Sequence, residues 1–239
     1  MRAYALTDVG KSRSINQDYV FCTDKPVGKL PNLYILADGM GGHKAGDLAS
    51  KFSVETFVEQ VKKIDADNPI TIISDSIQYT NSKLMELAAT SPDYTGMGTT
   101  FVVVTILEKS AYIANIGDSR LYIYNKDLRQ ITRDHSLVEE MVQLGTIDRD
   151  EAKSYEHKNV ITRAVGGMES VIPDFFEVEL CSGEYIIMCS DGLTNMVTDE
   201  QIEQIISEDS DVTLKARKLI DLANEQGGKD NISIIIIEP

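Results

Sequence analysis

The chain lacks an apolar run long enough to cross a membrane. The longest late run, Ile232 to Ile237, is interrupted by Ser233 and has the length of a β-strand. The first residues, Met1-Arg2-Ala3-Tyr4, alternate in polarity and do not form the apolar core of a signal peptide. We therefore expect a cytoplasmic protein without membrane insertion.

Cysteine and histidine are scarce, with three residues of each type. Cys22, Cys181 and Cys189 form no CxxC motif and cannot all pair, so we expect three small buried thiols in strand-like runs. No two histidines have the spacing of a ligand pair. These absences argue against a zinc or copper site built from Cys and His side chains.

Positively charged residues are also few: the chain has 23 Lys and Arg residues and 38 Asp and Glu residues. The resulting net charge of -15 argues against nucleic acid or an anionic membrane as a partner. An acidic surface can simply serve solubility. Alternatively, clustered carboxylates need cations, and the positions of the aspartates decide between these two interpretations.

Linkers, repeats and low-complexity tracts are missing, so we interpret residues 1–239 as one domain. Short runs rich in Val, Ile, Tyr and Thr predict strands at Ala3–Thr7, Tyr19–Thr23, Leu33–Ala37, Thr100–Ile106, Ala111–Ile116, Arg120–Tyr124, Phe176–Leu180, Glu184–Ser190 and Ile232–Ile237. Their close spacing favours antiparallel meanders over βαβ units.

Apolar residues at helical spacing predict five helices. These are Asp47–Lys62, a long helix that opens at Asn68-Pro69, Ser136–Leu144, Asp199–Ile206 and Val212–Asn224. The stretch from Gly145 to Asn159 is charged and poor in core residues, which suggests a flap segment around 145–165. Strands in meanders and amphipathic helices together indicate two packed sheets with helices outside.

Four apolar strands each carry an aspartate at one end. The motifs are Asp38-Gly39-Met40-Gly41-Gly42, Gly117-Asp118-Ser119-Arg120, Ser190-Asp191-Gly192 and Lys229-Asp230-Asn231. Each alone could be a simple turn. If the strand ends meet, however, the carboxylates repel one another unless cations neutralise them. Oxygen ligands favour Mg²⁺ or Mn²⁺, and two such ions about 3.5–4 Å apart would bind a phosphate and generate hydroxide near neutral pH.

In this order the four motifs resemble those of the PPM-type (type 2C) metal-dependent Ser/Thr protein phosphatases, in their small bacterial form. The resemblance also covers the segments Arg13-Ser14-Ile15-Asn16-Gln17-Asp18, Thr95-Gly96-Met97-Gly98-Thr99-Thr100, Asp134-His135-Ser136 and Ile161-Thr162-Arg163-Ala164. It implies an α+β fold in which a central antiparallel β-sandwich is flanked by pairs of α-helices, in four layers.

The resemblance also implies a set of metal ligands. Asp38 corresponds to the aspartate that bridges two ions, and Asp191 and Asp230 correspond to those that complete the first site. The backbone carbonyl of Gly39 corresponds to a ligand of the second ion. The cofactors implied are therefore two core Mn²⁺ or Mg²⁺ ions.

Further residues match the family's accessory positions. Asp18 corresponds to an acid that holds metal-bound water, and Asp118 together with Asp191 corresponds to a site for a third ion. Arg13 corresponds to the arginine that binds the substrate phosphate, and its planar guanidinium suits two phosphate oxygens. Without the resemblance, Arg13 could equally be a surface residue.

The chain departs from the eukaryotic pattern at Met40, where those members have a histidine that protonates the leaving alkoxide. Methionine cannot donate a proton. His43 is a possible substitute, whereas we expect His135 and His157 to be structural or solvated. A third cation on Asp118 that acidifies a water is another possible proton source.

The function implied is the one-step hydrolysis of phosphoserine and phosphothreonine in proteins by a metal-bridging water or hydroxide. The partners implied are phosphorylated proteins and a Ser/Thr kinase that the enzyme opposes. Two alternatives stay open: a non-catalytic relative that binds partners, and a hydrolase of a small phosphate ester. The first should have lost metal aspartates, and this chain keeps them.

Overall fold

Two antiparallel β-sheets form the centre of the computed structural model, which describes residues 1–41, 45–155 and 159–239, without the side chains of residues 153 and 154. The first sheet has the strand order β1 (Arg2–Asp8), β11 (Ile232–Glu238), β10 (Tyr185–Cys189), β7 (Arg120–Asn125) and β8 (Asp127–Gln130). The second has the order β2 (Asp18–Thr23), β3 (Leu33–Met40), β5 (Phe101–Leu107), β6 (Ser110–Ile116) and β9 (Asp174–Glu179), and β4 (Gly98–Thr99) pairs with β3.

The helices lie outside the sheets. They are α1 (Gly46–Val61), α2 (Pro69–Ala88), α3 (Leu137–Gln143), α4 (Arg149–Ser154), α5 (Asp191–Thr194), α6 (Asp199–Ile206) and α7 (Val212–Glu225). Polar side chains begin several of them: Asn68 accepts hydrogen bonds from the first backbone N–H groups of α2, and Thr198 forms a capping box with Gln201 at α6.

Strand β11 shows how the layers are assembled. Its isoleucines are buried on both faces: Ile235 and Ile237 pack between the two sheets, while Ile234 and Ile236 pack against the side chains of α6 and α7. Helices α1 and α2 cover the outer face of the second sheet in the same way. Because successive strand residues point to opposite faces, one isoleucine run supplies two hydrophobic layers. The expected α+β sandwich flanked by helices is thereby confirmed.

The predicted strands and the five predicted helices are all present, and short elements were missed. Strand β8 and helix α4 consist largely of charged or polar residues, and β4 has only two residues, so none has a clear apolar period. Helix α4 lies inside the predicted flap and begins at a capping box between Asp148 and Glu151. No helix in the described parts of the chain is long and apolar enough to span a bilayer.

One expectation about cysteine was wrong. Cys189 is buried in β10 and Cys22 is partly buried, but Cys181 is exposed in the turn between β9 and β10. The apolar residues before it belong to a strand that ends at Glu179, so the strand-like pattern was extended too far.

Candidate active site

The aspartates Asp18 and Asp38 face each other across two neighbouring strands. They are directly paired in the antiparallel register of β2 and β3. The backbone of Asp38 is held by two threonines of the Thr99-Thr100 motif. Its N–H donates to Thr100 Oγ1 at 2.9 Å, and its carbonyl oxygen accepts from Thr100 N–H at 2.8 Å and from Thr99 Oγ1 at 2.9 Å. The end of β3 is therefore fixed on the side opposite β2.

Gly39 lets β3 approach the start of helix α1. A Cβ atom at this position would lie 1.9 Å from the carbonyl oxygen of Gly46, so a larger residue would force the two segments apart. The N–H of Gly39 donates to the carbonyl oxygen of Gln17 at 3.0 Å. These contacts set the direction of the chain immediately after Asp38.

Asp18 is buried and has one oxygen without a partner. Its Oδ2 accepts a hydrogen bond of 2.8 Å from Ser190 Oγ, whereas Oδ1 has no hydrogen-bond partner. Burial, the largest influence, raises the pKa of Asp18 to about 7. An unpartnered buried carboxylate oxygen calls for a water or a cation.

Asp191 and Asp230 come from the adjacent strands β10 and β11. Asp191 is the first residue of α5, and its Oδ2 accepts from Asn195 Nδ2 at 3.0 Å. A Cβ atom at Gly192 would lie 1.9 Å from the carbonyl oxygen of Asn231, so only glycine allows the two backbones to lie this close. The close approach brings the two carboxylates together at one end of the first sheet.

Both oxygens of Asp230 have partners within the protein. Oδ1 accepts from the N–H of Asn231 at 2.8 Å, and Oδ2 accepts from Arg13 Nη2 at 2.8 Å. The hydrogen bond and the charge of Asp230 raise the pKa of Arg13. The structure thus brings Arg13 into the site, in contact with a predicted metal ligand.

Asn231 anchors the loop that carries Arg13, a role that the sequence did not reveal. Its Oδ1 accepts from Gln17 N–H at 2.8 Å, and its Nδ2 donates to the carbonyl oxygens of Val9 and Ile15 at 2.9 and 3.0 Å. The only signal available in the sequence is the position of Asn231 between Asp230 and a buried strand. Its partners lie more than 200 residues away.

Asp118 lies in the turn between β6 and β7. Gly117, which precedes it, has a φ of 101°, and a Cβ atom there would lie 2.6 Å from Thr100 Cγ2. Ser119, which follows it, shares a hydrogen bond of 2.8 Å with Thr100 Oγ1. Thr100 therefore contacts both the Asp38 strand and the Asp118 turn.

The carboxylates interact strongly with one another. Burial raises the pKa of Asp38 well above its usual value, and the charges of Asp18, Asp191 and Asp118 raise it further. Burial and the charge of Asp191 raise the pKa of Asp118 to about 7, and burial and the charge of Asp230 raise that of Asp191 to about 6. The structure therefore places the four strand-end aspartates close enough to raise one another's pKa values.

The site fits hard divalent cations by its chemistry. Its donors are carboxylate and carbonyl oxygens, one of them is an unpartnered buried oxygen, and its carboxylates repel one another. Across the described residues, no three Asp, Glu, His or Cys side chains are arranged in a ready-made coordination shell. Arg13 donates to one oxygen of Asp230 and Asn195 to one oxygen of Asp191, and each carboxylate keeps lone pairs that could bind an ion.

The candidates for proton donation differ in position. Met40 ends β3 and pairs with Gly98 of β4. His135 is buried, as expected for a structural residue. Gly42, His43 and His157 lie outside the described residues.

A groove of about 550 Å³ opens beside Asp118 and Asp191. Residues of α3 and α4, within and before the predicted flap, form one wall, and residues 194–200 form the other. Acidic side chains, among them Asp134, Glu139 and Asp199, line it together with Arg120 and Arg149. The groove is large enough for an extended peptide segment next to the carboxylates.

Comparison with known proteins identifies full-length relatives. A family model described as protein phosphatase 2C matches residues 10–220. Protein phosphatase PhpP of Streptococcus pneumoniae is 39% identical over 241 residues, which cover 99% of this chain and 97% of the relative. Serine/threonine phosphatase stp of Listeria innocua is 37% identical over 243 residues, with 100% and 96% coverage.

Solved structures agree closely with this fold. A serine/threonine phosphatase of S. agalactiae superposes with a TM-score of 0.92 at 38% identity and covers 98% of each chain. The catalytic domain of the phosphatase PstP, determined in complex with 2 manganese ions, superposes with a TM-score of 0.86 at 31% identity, covering 98% of this chain and 96% of that one.

Proposed function

We propose a function for the chain from one established premise: it belongs to the protein phosphatase 2C family. The chain removes phosphate from phosphoserine and phosphothreonine in proteins and requires Mn²⁺ or Mg²⁺. The relatives named as Ser/Thr phosphatases span nearly the whole chain, which supports this assignment of the activity.

One observation carries the proposal more than any other. Four strand-end aspartates meet in one place and raise one another's pKa values. Such a cluster weakens the fold when the carboxylates are ionised, so its presence is explained best by a cation-dependent reaction. A non-catalytic relative would have no need to keep it.

Two core ions fit residues on both sheets. Asp38, Asp191, Asp230 and the backbone carbonyl oxygen of Gly39 would hold these two ions. Asp18 would orient a water ligand through its unpartnered oxygen. Asp118 and Asp191 together would hold a third ion. Bound divalent cations would supply Lewis acidity: they offset the charge of phosphate and ionise water near neutral pH.

The chain's own residues bind and orient the phosphate. Arg13 presents two N–H groups to phosphate oxygens, and we infer that its Nη2 exchanges the contact with Asp230 for one with the substrate. Asn231 and the carbonyl oxygen of Gly228 hold the loop of Arg13 in place during this exchange. Met40 donates no proton, so the proton for the leaving alkoxide has to come from another group, and the Asp118 region and His43 are the two candidates.

A protein substrate fits the groove beside Asp118 better than a small ester does. Residues of α3 and α4 line the groove beside Asp118 and Asp191, and a phosphate ester of a few atoms would leave most of its volume of about 550 Å³ unused. A cytoplasmic single-domain enzyme that reverses the action of a Ser/Thr kinase is the role that we propose for residues 1–239.

A substrate panel tests the proposal. The purified chain is assayed with Mn²⁺ on a phosphothreonine peptide, a nucleoside monophosphate and p-nitrophenyl phosphate. We expect kcat/KM to be highest for the peptide by at least about tenfold over the nucleotide, since only the peptide uses the groove. A preference for the nucleotide would establish the small-ester alternative, and no turnover of any substrate would support a non-catalytic relative.

A further inference from the structure

Two sequence motifs without an assigned role meet beside the Asp118 turn. The backbone N–H of Thr162 donates to the carbonyl oxygen of His135 at 2.8 Å, and Ser136 and Ile161 form a β-bridge. This bridge closes the base of the segment that contains α3 and α4. The motifs Asp134-His135-Ser136 and Ile161-Thr162-Arg163 therefore form one structural unit.

His135 holds Gly117, the residue before Asp118, by two hydrogen bonds. The N–H of Gly117 donates to His135 Nδ1 at 3.1 Å, and the N–H of His135 donates to the carbonyl oxygen of Gly117 at 2.9 Å. The side chain of His135 is buried, with 3% of its surface exposed, so water does not compete for these bonds. Gly117 has no strand partner at its N–H, and the imidazole takes the place of one.

Asp174, which accepts a hydrogen bond from Arg163, lies beside the Nε2 atom of the imidazole. His135 Nε2 lies 3.1 Å from Asp174 Oδ2, although the geometry falls short of a regular hydrogen bond. Arg163 Nη1 donates to Asp174 Oδ1 at 2.7 Å. Because Nδ1 accepts from a backbone N–H, we assign the proton to Nε2, where it faces the carboxylate. Burial lowers the pKa of His135, which favours this neutral form.

Asp134, the residue before His135 in the motif, holds the end of the turn that follows Asp118. Asp134 accepts from Arg120 Nε at 3.0 Å and from Arg120 Nη2 at 2.7 Å, and Arg120 is two residues after Asp118. His135 and Asp134 thus bind the turn before and after Asp118, through Gly117 and Arg120 respectively. The side chain of His135 contacts the residue directly before Asp118.

We propose that His135 is a positioning residue that holds the Gly117–Asp118 turn so that Asp118 faces Asp191. The inference rests on the proposed function, because it assigns to His135 an effect on turnover that is exerted through Asp118. It excludes His135 as the proton donor to the leaving group, since its Nδ1 is engaged by Gly117 and its Nε2 faces Asp174.

Three substitutions separate the contacts of the imidazole. Asn places Oδ1 near the position of Nδ1 and can still accept from Gly117, Gln reaches toward Asp174 but leaves the Gly117 N–H without an acceptor, and Ala removes both contacts. We expect H135A and H135Q to lower kcat on a phosphothreonine peptide by about tenfold or more, since a displacement of about 1 Å can cost about 100-fold. H135N should retain most of the activity.

A double-mutant cycle shows whether the effect passes through Asp118. If His135 acts by positioning Asp118, H135A should have little further effect on peptide turnover in the Asp118→Ala background. The matched control is Asn68→Ala, which removes the cap of the remote helix α2. It should lower Tm without lowering kcat. Its effects on Tm and on peptide turnover should be the same in the Asp118→Ala background as in wild type.

Amide hydrogen exchange of Gly117 provides a readout that is independent of activity. Exchange should accelerate in H135A and H135Q but not in H135N or Asn68→Ala, at conditions where each variant is folded by circular dichroism. Equal loss of activity in H135N and H135Q, additivity with Asp118→Ala, or unchanged Gly117 exchange in H135A would overturn the proposal. If the wild-type chain releases no phosphate from the peptide, the proposed function fails, while the exchange experiment still tests the positioning of the turn.

Discussion

At the scale of single residues, Thr100 connects the two halves of the carboxylate cluster. Its hydroxyl oxygen accepts from the N–H of Asp38 and shares a hydrogen bond with Ser119, on either side of the site. It is buried, so the loss of these bonds is not compensated by water. A small polar residue without any predicted ligand role therefore sets the relative positions of Asp38 and the Asp118 turn.

We predict that Thr100→Val destabilises the fold by about 1–3 kcal/mol, because it leaves the Asp38 N–H buried without an acceptor at nearly constant volume. Urea unfolding in EDTA measures the change, and the same variant should bind Mn²⁺ more weakly by calorimetry. Thr100→Ser keeps the hydroxyl and serves as the control. A valine variant as stable as the serine variant would show that the hydrogen bond to Asp38 contributes nothing.

Arg13 has one contact in the structure and a different one in the proposed reaction. It binds Asp230 in the structure and is proposed to bind phosphate during turnover. Arg13→Ala should raise KM for a phosphothreonine peptide by about tenfold with a smaller effect on kcat, since charge-assisted hydrogen bonds contribute about 1.5–3 kcal/mol. Arg13→Lys should have an intermediate KM, because it keeps the charge but not the planar fork. Steady-state kinetics with an unchanged KM in the alanine variant would place Arg13 outside the substrate site.

At the scale of elements, the ends of strands rather than their middles build the site. Strand β3 ends beside α1, and β10 passes directly into α5, with glycine at each point of close approach. Strand β11 begins at the same end of the sheet, immediately after Asp230 and Asn231. The two sheets thus deliver their carboxylates to one edge of the sandwich, and their packing fixes the spacing between them.

Gly192→Ala should disturb this junction, because the added methyl group would lie 1.9 Å from the carbonyl oxygen of Asn231. We expect a loss of about 1–3 kcal/mol, as for other overpacked positions, together with weaker Mn²⁺ binding. Gly183→Ala is the matched control: it has a φ of 83° but no atom within 4 Å, so it tests backbone strain alone. Comparable Mn²⁺ affinities in the two alanine variants would contradict this account of the junction.

The sequence predicted the long strands and the main helices, because apolar periodicity is a local signal, and it placed Asp38, Asp118, Asp191 and Asp230 at strand ends. It could not establish that those ends meet. It did not predict the partners of those residues. The contacts of Asn231 with Gln17, of Ser190 with Asp18 and of Arg13 with Asp230 join positions about 170 to 220 apart. Such contacts follow from the packing of the sheets, which no local pattern encodes.

At the scale of the whole molecule, the charge cluster makes stability depend on pH and on cations. The chain carries a net charge of -15, and its buried aspartates add a local excess of negative charge. Protonation, cation binding or the contact with Arg13 can relieve this repulsion. The carboxylates that we propose as cation ligands therefore oppose folding when they are ionised without a cation.

A pH series of unfolding free energies in EDTA tests this dependence. The pKa of Asp118 is about 7 in the folded chain and near 4 in the unfolded chain, so the folded state holds more protons between these values. The contribution of Asp118 to stability is therefore complete below about pH 4 and is lost as the pH rises to about 7. Asp118→Asn should gain stability relative to wild type over this range, by on the order of 1–3 kcal/mol at pH 8. A difference between the two proteins that does not change with pH would contradict the raised pKa.

The central claim is that the clustered aspartates support cation-dependent hydrolysis of phosphoproteins. The most direct test is the release of phosphate from a phosphothreonine peptide as Mn²⁺ is added to the EDTA-treated protein, compared between wild type and Asp38→Asn. We predict no release in EDTA, saturable activation by Mn²⁺ in wild type, and a rate at least about 1000-fold lower in the folded variant, because Asp38 is proposed to hold the cations on which hydrolysis depends. Full turnover in excess EDTA, or near wild-type turnover by Asp38→Asn, would contradict the account.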